Sequence, residues 1–224
     1  GSDAFIVLAD ADLDLAAQTA TKARFQNNGQ SCIAAKRFIV ERPVYDAFLE
    51  KFAAAAKAQT VGNPMDDATA LGPVARGDLR DTLHAQVQET LEAGGELVLG
   101  GRNVERDGFF YEATIVAGVR PGMRMFDEEV FGPAAAVIRA EDASAAIALA
   151  NASCYGLGSS IFTRDAERAQ ELAAQVEAGM VFINGMVASD PRLPFGGVKR
   201  SGYGRELSSF GIHEFVNIQT VWVR

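Results

Sequence analysis

Phe5-Ile6-Val7-Leu8 begins the stretch that decides the fold of this 224-residue chain. The four apolar residues predict a short buried strand, and residues 10–23 follow with helical spacing and an acidic first turn. The run Arg37-Phe38-Ile39-Val40 then returns as a second strand. Because both strands are rich in apolar residues without a polar alternation, they predict parallel strands covered on both faces.

The same alternation continues along the rest of the chain. Further helices are predicted at residues 44–59, 78–93 and 143–151, with another that is capped by Thr163 or Asp165 and ends at Glu177. Further strands are predicted at residues 96–99, 110–116, 134–138, 158–162 and 180–184. This order predicts an α/β fold of three layers, α/β/α, around a largely parallel sheet. No repeat or low-complexity linker divides residues 1–213, which we expect to form one domain.

Composition and charge argue against several classes of protein. The net charge of −8 disfavours a surface for nucleic acid or anionic lipid, which needs clustered lysine and arginine. No apolar run reaches the length of a membrane span and no signal-peptide pattern is present, so a cytoplasmic location is expected by default. Two cysteines far apart imply no disulfide framework. The aspartates of residues 10–14 lack the glycine and glutamate of a calcium loop, so no metal is predicted.

Cys32 is the first candidate for chemistry. It follows an Asn-Gly turn signal and precedes the strand at residues 38–40, which places a thiol at the junction of a loop and a regular element. Backbone N–H groups at such a junction are free to stabilise a thiolate or a developing oxyanion. The alternative is a small core residue, since free cysteine is often buried. Cys154, by contrast, is expected to be a packing residue.

Two other segments carry candidate residues. Glu128 and Glu129 lie just before the strand at residues 134–138, and carboxylates at a strand end can face a ligand, although surface charges would look the same. Residues 194–206 are rich in glycine but contain neither Gly-x-Gly-x-x-Gly after a strand nor a P-loop. They predict a tightly folded loop with left-handed backbone rather than a phosphate cradle.

These segments together resemble the aldehyde dehydrogenase superfamily. Residues 25–32 read Phe-x-Asn-x-Gly-Gln-x-Cys, residues 128–133 read Glu-Glu-x-Phe-Gly-Pro, and residues 194–206 read Pro-Phe-Gly-Gly-x-Lys-x-Ser-Gly-x-Gly-Arg-Glu. The resemblance covers the catalytic half of such an enzyme and is strongest to bacterial NAD-linked succinate-semialdehyde dehydrogenases. The cofactor-binding half, with the general-base glutamate and an oxyanion-binding asparagine, is expected upstream of residue 1.

The resemblance implies a role for each matching residue. Cys32 would attack the aldehyde, forming a thiohemiacetal and then a thioester that is hydrolysed to the acid. Glu129 would bind the ribose hydroxyls of NAD or NADP, and Phe131 would pack beside the nicotinamide. Phe195 would form a wall of the aldehyde pocket, and Ser189 would help to hold a substrate carboxylate.

One departure and two structural expectations accompany the resemblance. Gln26 stands where many succinate-semialdehyde dehydrogenases carry arginine, and Arg192 is a possible substitute or a surface residue. Residues 214–224 alternate with period two and are expected to form a C-terminal oligomerisation strand in a homo-oligomer. The isolated chain is expected to keep a reactive thiol without oxidising aldehydes.

Two rival functions stay open from the sequence. One is a cysteine hydrolase that pairs Cys32 with His84 or His213. The other is a non-catalytic binding or structural domain. A thiol of ordinary reactivity would favour the latter.

Overall fold

The computed structural model describes residues 1–224. Its strands are β1 (Asp3–Val7), β2 (Ala35–Glu41), β3 (Glu96–Leu99), β4 (Thr114–Ala117), β5 (Ala134–Ala140), β6 (Tyr155–Gly156), β7 (Gly158–Phe162), β8 (Met180–Ile183) and β9 (Val198–Lys199). Its α-helices are α1 (Leu13–Phe25), α2 (Tyr45–Lys57), α3 (Gly77–Glu92), α4 (Arg124–Asp127), α5 (Ala143–Asn151), α6 (Ala166–Ala173) and α7 (Ser208–His213). None of these helices combines the length and the apolar character that a bilayer-spanning segment needs.

A seven-stranded sheet forms the centre of the fold, in the order β3-β4-β5-β2-β1-β7-β8. All neighbours pair in parallel except β3, which runs antiparallel to β4 at one edge. The two short strands β6 and β9 form a separate antiparallel pair. The prediction of an α/β fold with a largely parallel sheet is therefore confirmed.

Both faces of the sheet are buried, which explains the uninterrupted apolar strands. In β1, Ala4 and Ile6 join a core shared with α3, α5 and α6, whereas Phe5 and Val7 join the core beneath α1 and α2. The ring of Phe52 on α2 lies 4.8 Å from that of Phe38 on β2. Full burial of one such side chain contributes about 1.5–3 kcal/mol, so these contacts hold the helices on the sheet.

Two sequence predictions differ clearly from the structure in their bounds, and one strand pair was not predicted. The strand predicted at 110–116 begins only at Thr114, because residues 110–113 run through a loop that bridges back to Asn103. The helix predicted to end at Glu177 ends at Ala173. The β6–β9 pair was not predicted, since two residues are too short for a periodic signal.

The oligomerisation strand predicted at residues 214–224 is not formed within this chain, and its role between subunits stays a prediction. After α7 these residues form no regular element, and Phe215 and Trp222 are 88% and 79% exposed. A strand needs the backbone of a neighbour to complete its hydrogen bonds, and no backbone hydrogen bond joins residues 216–224 to another segment of this chain.

Candidate active site

The candidate residues lie at the amino-terminal edge of the parallel sheet. Cys32 lies in the turn that precedes β2, and Glu129 and Phe131 precede β5. Since β2 and β5 are adjacent and parallel, their entry loops are neighbours. Open α/β sheets commonly bind ligands at the opposite edge, beyond the carboxyl ends of the strands. The sequence predicted that the glutamates lie at a strand end, but it did not show which edge of the sheet holds them.

The loop before Cys32 has an unusual backbone. Asn27, Asn28 and Gly29 all adopt left-handed conformations, with φ of 50°, 56° and 69°. Asparagine and glycine tolerate this region best, which explains the residue types of the motif. The loop leaves the Cys32 side chain exposed, so the interpretation of Cys32 as a core residue is wrong. The Cys32 N–H has no acceptor within the chain and is free to bind an oxyanion.

Amide side chains anchor this loop to the loop at residues 63–76. The Asn28 side chain donates to the Pro73 carbonyl at 2.8 Å and accepts from the Gly72 N–H at 3.0 Å. Gln30 accepts from the Ala75 N–H at 2.9 Å. The Asn28 and Gln30 amides therefore position the nucleophile loop.

The loop of Cys32 also packs directly on the segment that carries Glu129 and Phe131. A Cβ atom added to Gly29 would lie 2.3 Å from the Gly132 carbonyl oxygen and 2.5 Å from Arg24 Nη2. No side chain fits this contact, so glycine at position 29 allows two motifs that are far apart in sequence to meet.

Charged side chains lie buried beneath the nucleophile loop. Arg24 on α1 is fully buried and donates to the Gly29 carbonyl at 2.7 Å. Lys36 on β2 is fully buried and donates to the carbonyls of Ser31 and Cys32, each at 2.9 Å. Sequence reasoning missed both residues. The available signal was a basic residue within an otherwise buried strand or helix, which is costly unless it has partners.

The buried charges perturb one another. Burial lowers the pKa of Arg24 to about 9, against the opposing effect of Glu129 and Asp3. Burial likewise lowers the pKa of Lys36 and raises the pKa of Asp3, each partly offset by the charge of the other. One oxygen of Asp3 accepts from the Gly158 N–H, and the other has no partner.

The two neighbouring glutamates differ in their contacts. Glu128 receives hydrogen bonds from Arg124 and Gln86, and the bond from Arg124 holds the pKa of Glu128 below its usual value. Glu129 has one oxygen, Oε1, 2.5 Å from the Gly1 nitrogen and 3.7 Å from Lys36 Nζ. Its Oε2 has no partner within the chain, and the side chain is 28% exposed. Glu129 therefore has an acceptor available for a hydroxyl group, and Glu128 is committed to structure.

Phe131 is half-buried. The remaining two candidates lie in the loop that follows β8, and this loop returns to the entry of that strand, where the Gly196 carbonyl packs against Gly179. Phe195 packs against an apolar cluster that also contacts Ile33, the neighbour of Cys32. It lines a cleft of about 330 Å³ together with β8 and the loop at 188–194. Ser189 lies on that loop, exposed and without a hydrogen-bond partner. Cys32 does not line this cleft.

Comparison with known proteins assigns the chain to a family. The aldehyde dehydrogenase family matches residues 1–221. The chain belongs to this family. Succinate semialdehyde dehydrogenase [NAD(P)+] Sad of Escherichia coli is 56% identical over 222 residues, which cover 99% of this chain and 48% of that protein. A succinate-semialdehyde dehydrogenase [NADP(+)] of Mycolicibacterium paratuberculosis is 52% identical, with 100% and 47% covered. The chain thus spans about half the length of these curated relatives.

Solved structures agree with this assignment. Gox0499, from a study of cofactor and substrate selection, superposes with a TM-score of 0.97 at 50% identity, covering 100% of this chain and 49% of that one. The succinic semialdehyde dehydrogenase of Streptococcus pyogenes, in complex with NADP+, gives 0.96 at 41% identity, with 100% and 49% covered. The aldehyde dehydrogenase resemblance and its fold are confirmed.

The structure of this family member gives no support to a cysteine hydrolase. His84 hydrogen-bonds the Tyr111 hydroxyl at 3.1 Å, and no hydrogen bond joins His84 or His213 to Cys32. Cys154 is exposed, so its interpretation as a packing residue is wrong. It lies in the turn between α5 and β6, where the Cys154 carbonyl, rather than its side chain, makes the structural contact.

Proposed function

We propose that the protein containing this chain oxidises an aldehyde to a carboxylic acid, using Cys32 as nucleophile and NAD or NADP as acceptor. The observation that carries the proposal is the exposed Cys32 thiol with its unpartnered N–H. Membership of the aldehyde dehydrogenase family supports it. The named relatives use NAD(P)+ or NADP+.

Cys32 performs the covalent chemistry. Its thiolate adds to the aldehyde carbon, and the carbonyl electrons move to oxygen, where the Cys32 N–H can stabilise the negative charge. The cofactor, when bound, supplies the acceptor for the hydride that this tetrahedral centre releases. Cys32 then carries the acyl group as a thioester, and water hydrolyses that thioester to the acid and the free thiol.

Glu129 and Phe131 fit the cofactor. The free Oε2 of Glu129 can accept from a ribose hydroxyl, and a carboxylate, which only accepts, suits a diol. Phe131 is half-buried and offers a flat apolar surface beside it. We assign these residues to cofactor binding on that basis.

Succinate semialdehyde is the proposed substrate, on the strength of the relatives' names. Ser189 is exposed and free to hydrogen-bond a carboxylate, and Phe195 lines the adjacent cleft. Gln26 offers an amide rather than a guanidinium. Arg192 does not compensate freely, because both its contacts go to Asp190, at 3.0 and 2.6 Å.

The tail at residues 214–224 is the proposed oligomerisation segment. It carries exposed apolar side chains, including Ile218 and Val221, and its backbone makes no hydrogen bond within the chain from residue 216 onward. We propose a homo-oligomer in the cytoplasm, with no nucleic-acid or membrane partner, in keeping with the net charge of −8.

The test of the proposed function uses the full-length protein with succinate semialdehyde or butanal. NADH or NADPH formation should be lost in Cys32→Ala and kept in Cys154→Ala, the matched exposed-thiol control. Activity in Cys32→Ala would refute the role of Cys32, and a preference for butanal would refute the substrate. The 224-residue chain alone should react with iodoacetamide at Cys32 but reduce no cofactor.

A further inference from the structure

Three carbonyl groups of the nucleophile loop accept hydrogen bonds from buried cations. Arg24 binds the carbonyl of Gly29, and Lys36 binds those of Ser31 and Cys32. The Gln30 carbonyl accepts from the Asn27 side chain at 2.8 Å. Every carbonyl from residue 29 to residue 32 therefore has an internal donor.

Peptide geometry converts these contacts into a direction for the N–H groups. The chain contains no cis peptide bond, and in a trans peptide the C=O and N–H bonds point in opposite directions. The Ser31 carbonyl and the Cys32 N–H belong to the same peptide unit. That carbonyl accepts from Lys36 and also from the Ala34 N–H at 3.1 Å, so the Cys32 N–H points away from both, and it has no acceptor in the chain.

We propose that Lys36 is a positioning residue that sets the Cys32 N–H as the backbone donor to the oxyanion. This inference rests on the proposed function, and it adds a residue to that site. Lys36 touches no reacting atom. It acts by fixing the peptide unit between Ser31 and Cys32, and its contact with the Cys32 carbonyl fixes the following unit as well.

Burial lowers the pKa of Lys36 to about 8, and neighbouring charges act on the ammonium group in both directions. Glu129 lies 3.7 Å away on the segment before β5, and the charges of Asp3 on β1 and of Cys32 also favour its protonated form. Arg24 on α1 opposes it, and the Lys36 side chain has no exposed surface. A buried ammonium with two carbonyl acceptors and a facing carboxylate has little freedom to reorient, so the peptide unit that it binds is held firmly.

Replacing Lys36 should lower the rate of aldehyde oxidation more than it lowers the reactivity of the Cys32 thiol. Losing one oxyanion donor costs about 10²–10³-fold in kcat in enzymes of this kind of chemistry. We therefore expect Lys36→Met to lower kcat by about 10²-fold at saturating cofactor, with little change in aldehyde KM. Alkylation by iodoacetamide forms no oxyanion, so the alkylation rate at Cys32 should be less sensitive to Lys36 than kcat is. We expect this rate to fall by about tenfold or less, because the nearby positive charge is lost.

The experiment measures both rates in the full-length protein, with peptide mapping to separate Cys32 from Cys154. Lys199→Met is the matched control, because Lys199 also donates to two carbonyls, those of Asn151 and Ser153. In Lys199→Met the alkylation rate at Cys32 should equal that of the unchanged protein. Lys36→Gln, which retains an amide donor without charge, should recover part of the kcat lost in Lys36→Met.

Two results would overturn the proposal. One is an equal loss of kcat and of alkylation rate, which would mean that Lys36 contributes only charge. The other is a kcat unchanged by Lys36→Met. If Lys36→Met fails to give a native circular dichroism spectrum, the same two rates are compared in Lys36→Gln. A full-length protein that oxidises no aldehyde, with Lys36 intact, would instead refute the proposed function.

Discussion

Substituting alanine for Gly29 tests the contact that joins the two halves of the site. Gly29 has φ of 69°, and an added Cβ would lie 2.3 Å from the Gly132 oxygen, where real Cβ contacts are essentially never under 3.0 Å. The loop of Cys32 and the segment of Phe131 would therefore have to separate. Arg24, whose Nη2 would be 2.5 Å from the same Cβ, would also have to move.

The cost has two parts. Holding alanine in the left-handed region costs about 1–2 kcal/mol. Forcing a methyl group against a packed backbone adds about 1–3 kcal/mol, as in other overpacked sites. We expect Gly29→Ala to lower the free energy of unfolding by about 3 kcal/mol, a large share of the roughly 5–15 kcal/mol typical of native proteins.

Denaturant unfolding of the 224-residue chain measures this loss, with Gly118→Ala as the control. Gly118 has φ of 64° and nothing within 4 Å of an added Cβ. Gly118→Ala should therefore lower the free energy of unfolding only by the backbone cost of about 1–2 kcal/mol. Gly29→Ala should also change the rate at which iodoacetamide reacts with Cys32, whereas Gly118→Ala should not. Equal losses of stability in the two variants would refute the argument from contact.

Two further predictions concern carboxylates at the same edge of the sheet. Glu129→Gln in the full-length protein should raise the cofactor KM by about tenfold, because roughly one charge-assisted hydrogen bond is lost. Glu128→Gln should change the cofactor KM far less. A larger effect of Glu128→Gln than of Glu129→Gln would contradict the assignment of Glu129. Burial raises the pKa of Asp3 from 3.8 to about 7, so the stability that its neutral form contributes is present below pH 4 and is lost as the pH rises through about 7. The Tm of Asp3→Asn should therefore rise relative to that of the unchanged chain between about pH 4 and pH 7, and a constant difference in Tm would contradict the raised pKa.

The sequence was sufficient to predict most of the sheet and its helices. Uninterrupted apolar runs such as Phe5-Ile6-Val7-Leu8 predicted strands buried on both faces, and the structure has β1 there between two cores. The motif around Cys32 predicted an exposed thiol in a loop, and the structure has it exposed. Both predictions rest on local properties of a few consecutive residues, which a sequence records directly.

Features that depend on distant partners could not be predicted. The burial of Lys36 depends on the carbonyls of its own loop and on Glu129, which is 93 residues away along the chain. The tail has the alternation of a strand, but a strand also requires a neighbour, and none is present. The location of the site also depends on the order of the strands in the sheet. The entry loops of β2 and β5 meet because these strands are neighbours and pair in parallel.

The amide contacts between the nucleophile loop and residues 63–76 bear on attempts to redesign this protein. Asn28 and Gln30 bind backbone groups of Gly72, Pro73 and Ala75, so they recognise the path of that outer loop rather than its side chains. Leu71 and Val74 of the outer loop are buried in the core, but its exposed side chains can be exchanged, while an insertion or deletion near residue 73 would shift the support under Cys32. Libraries that vary the exposed positions there should retain turnover, and libraries that vary length should not.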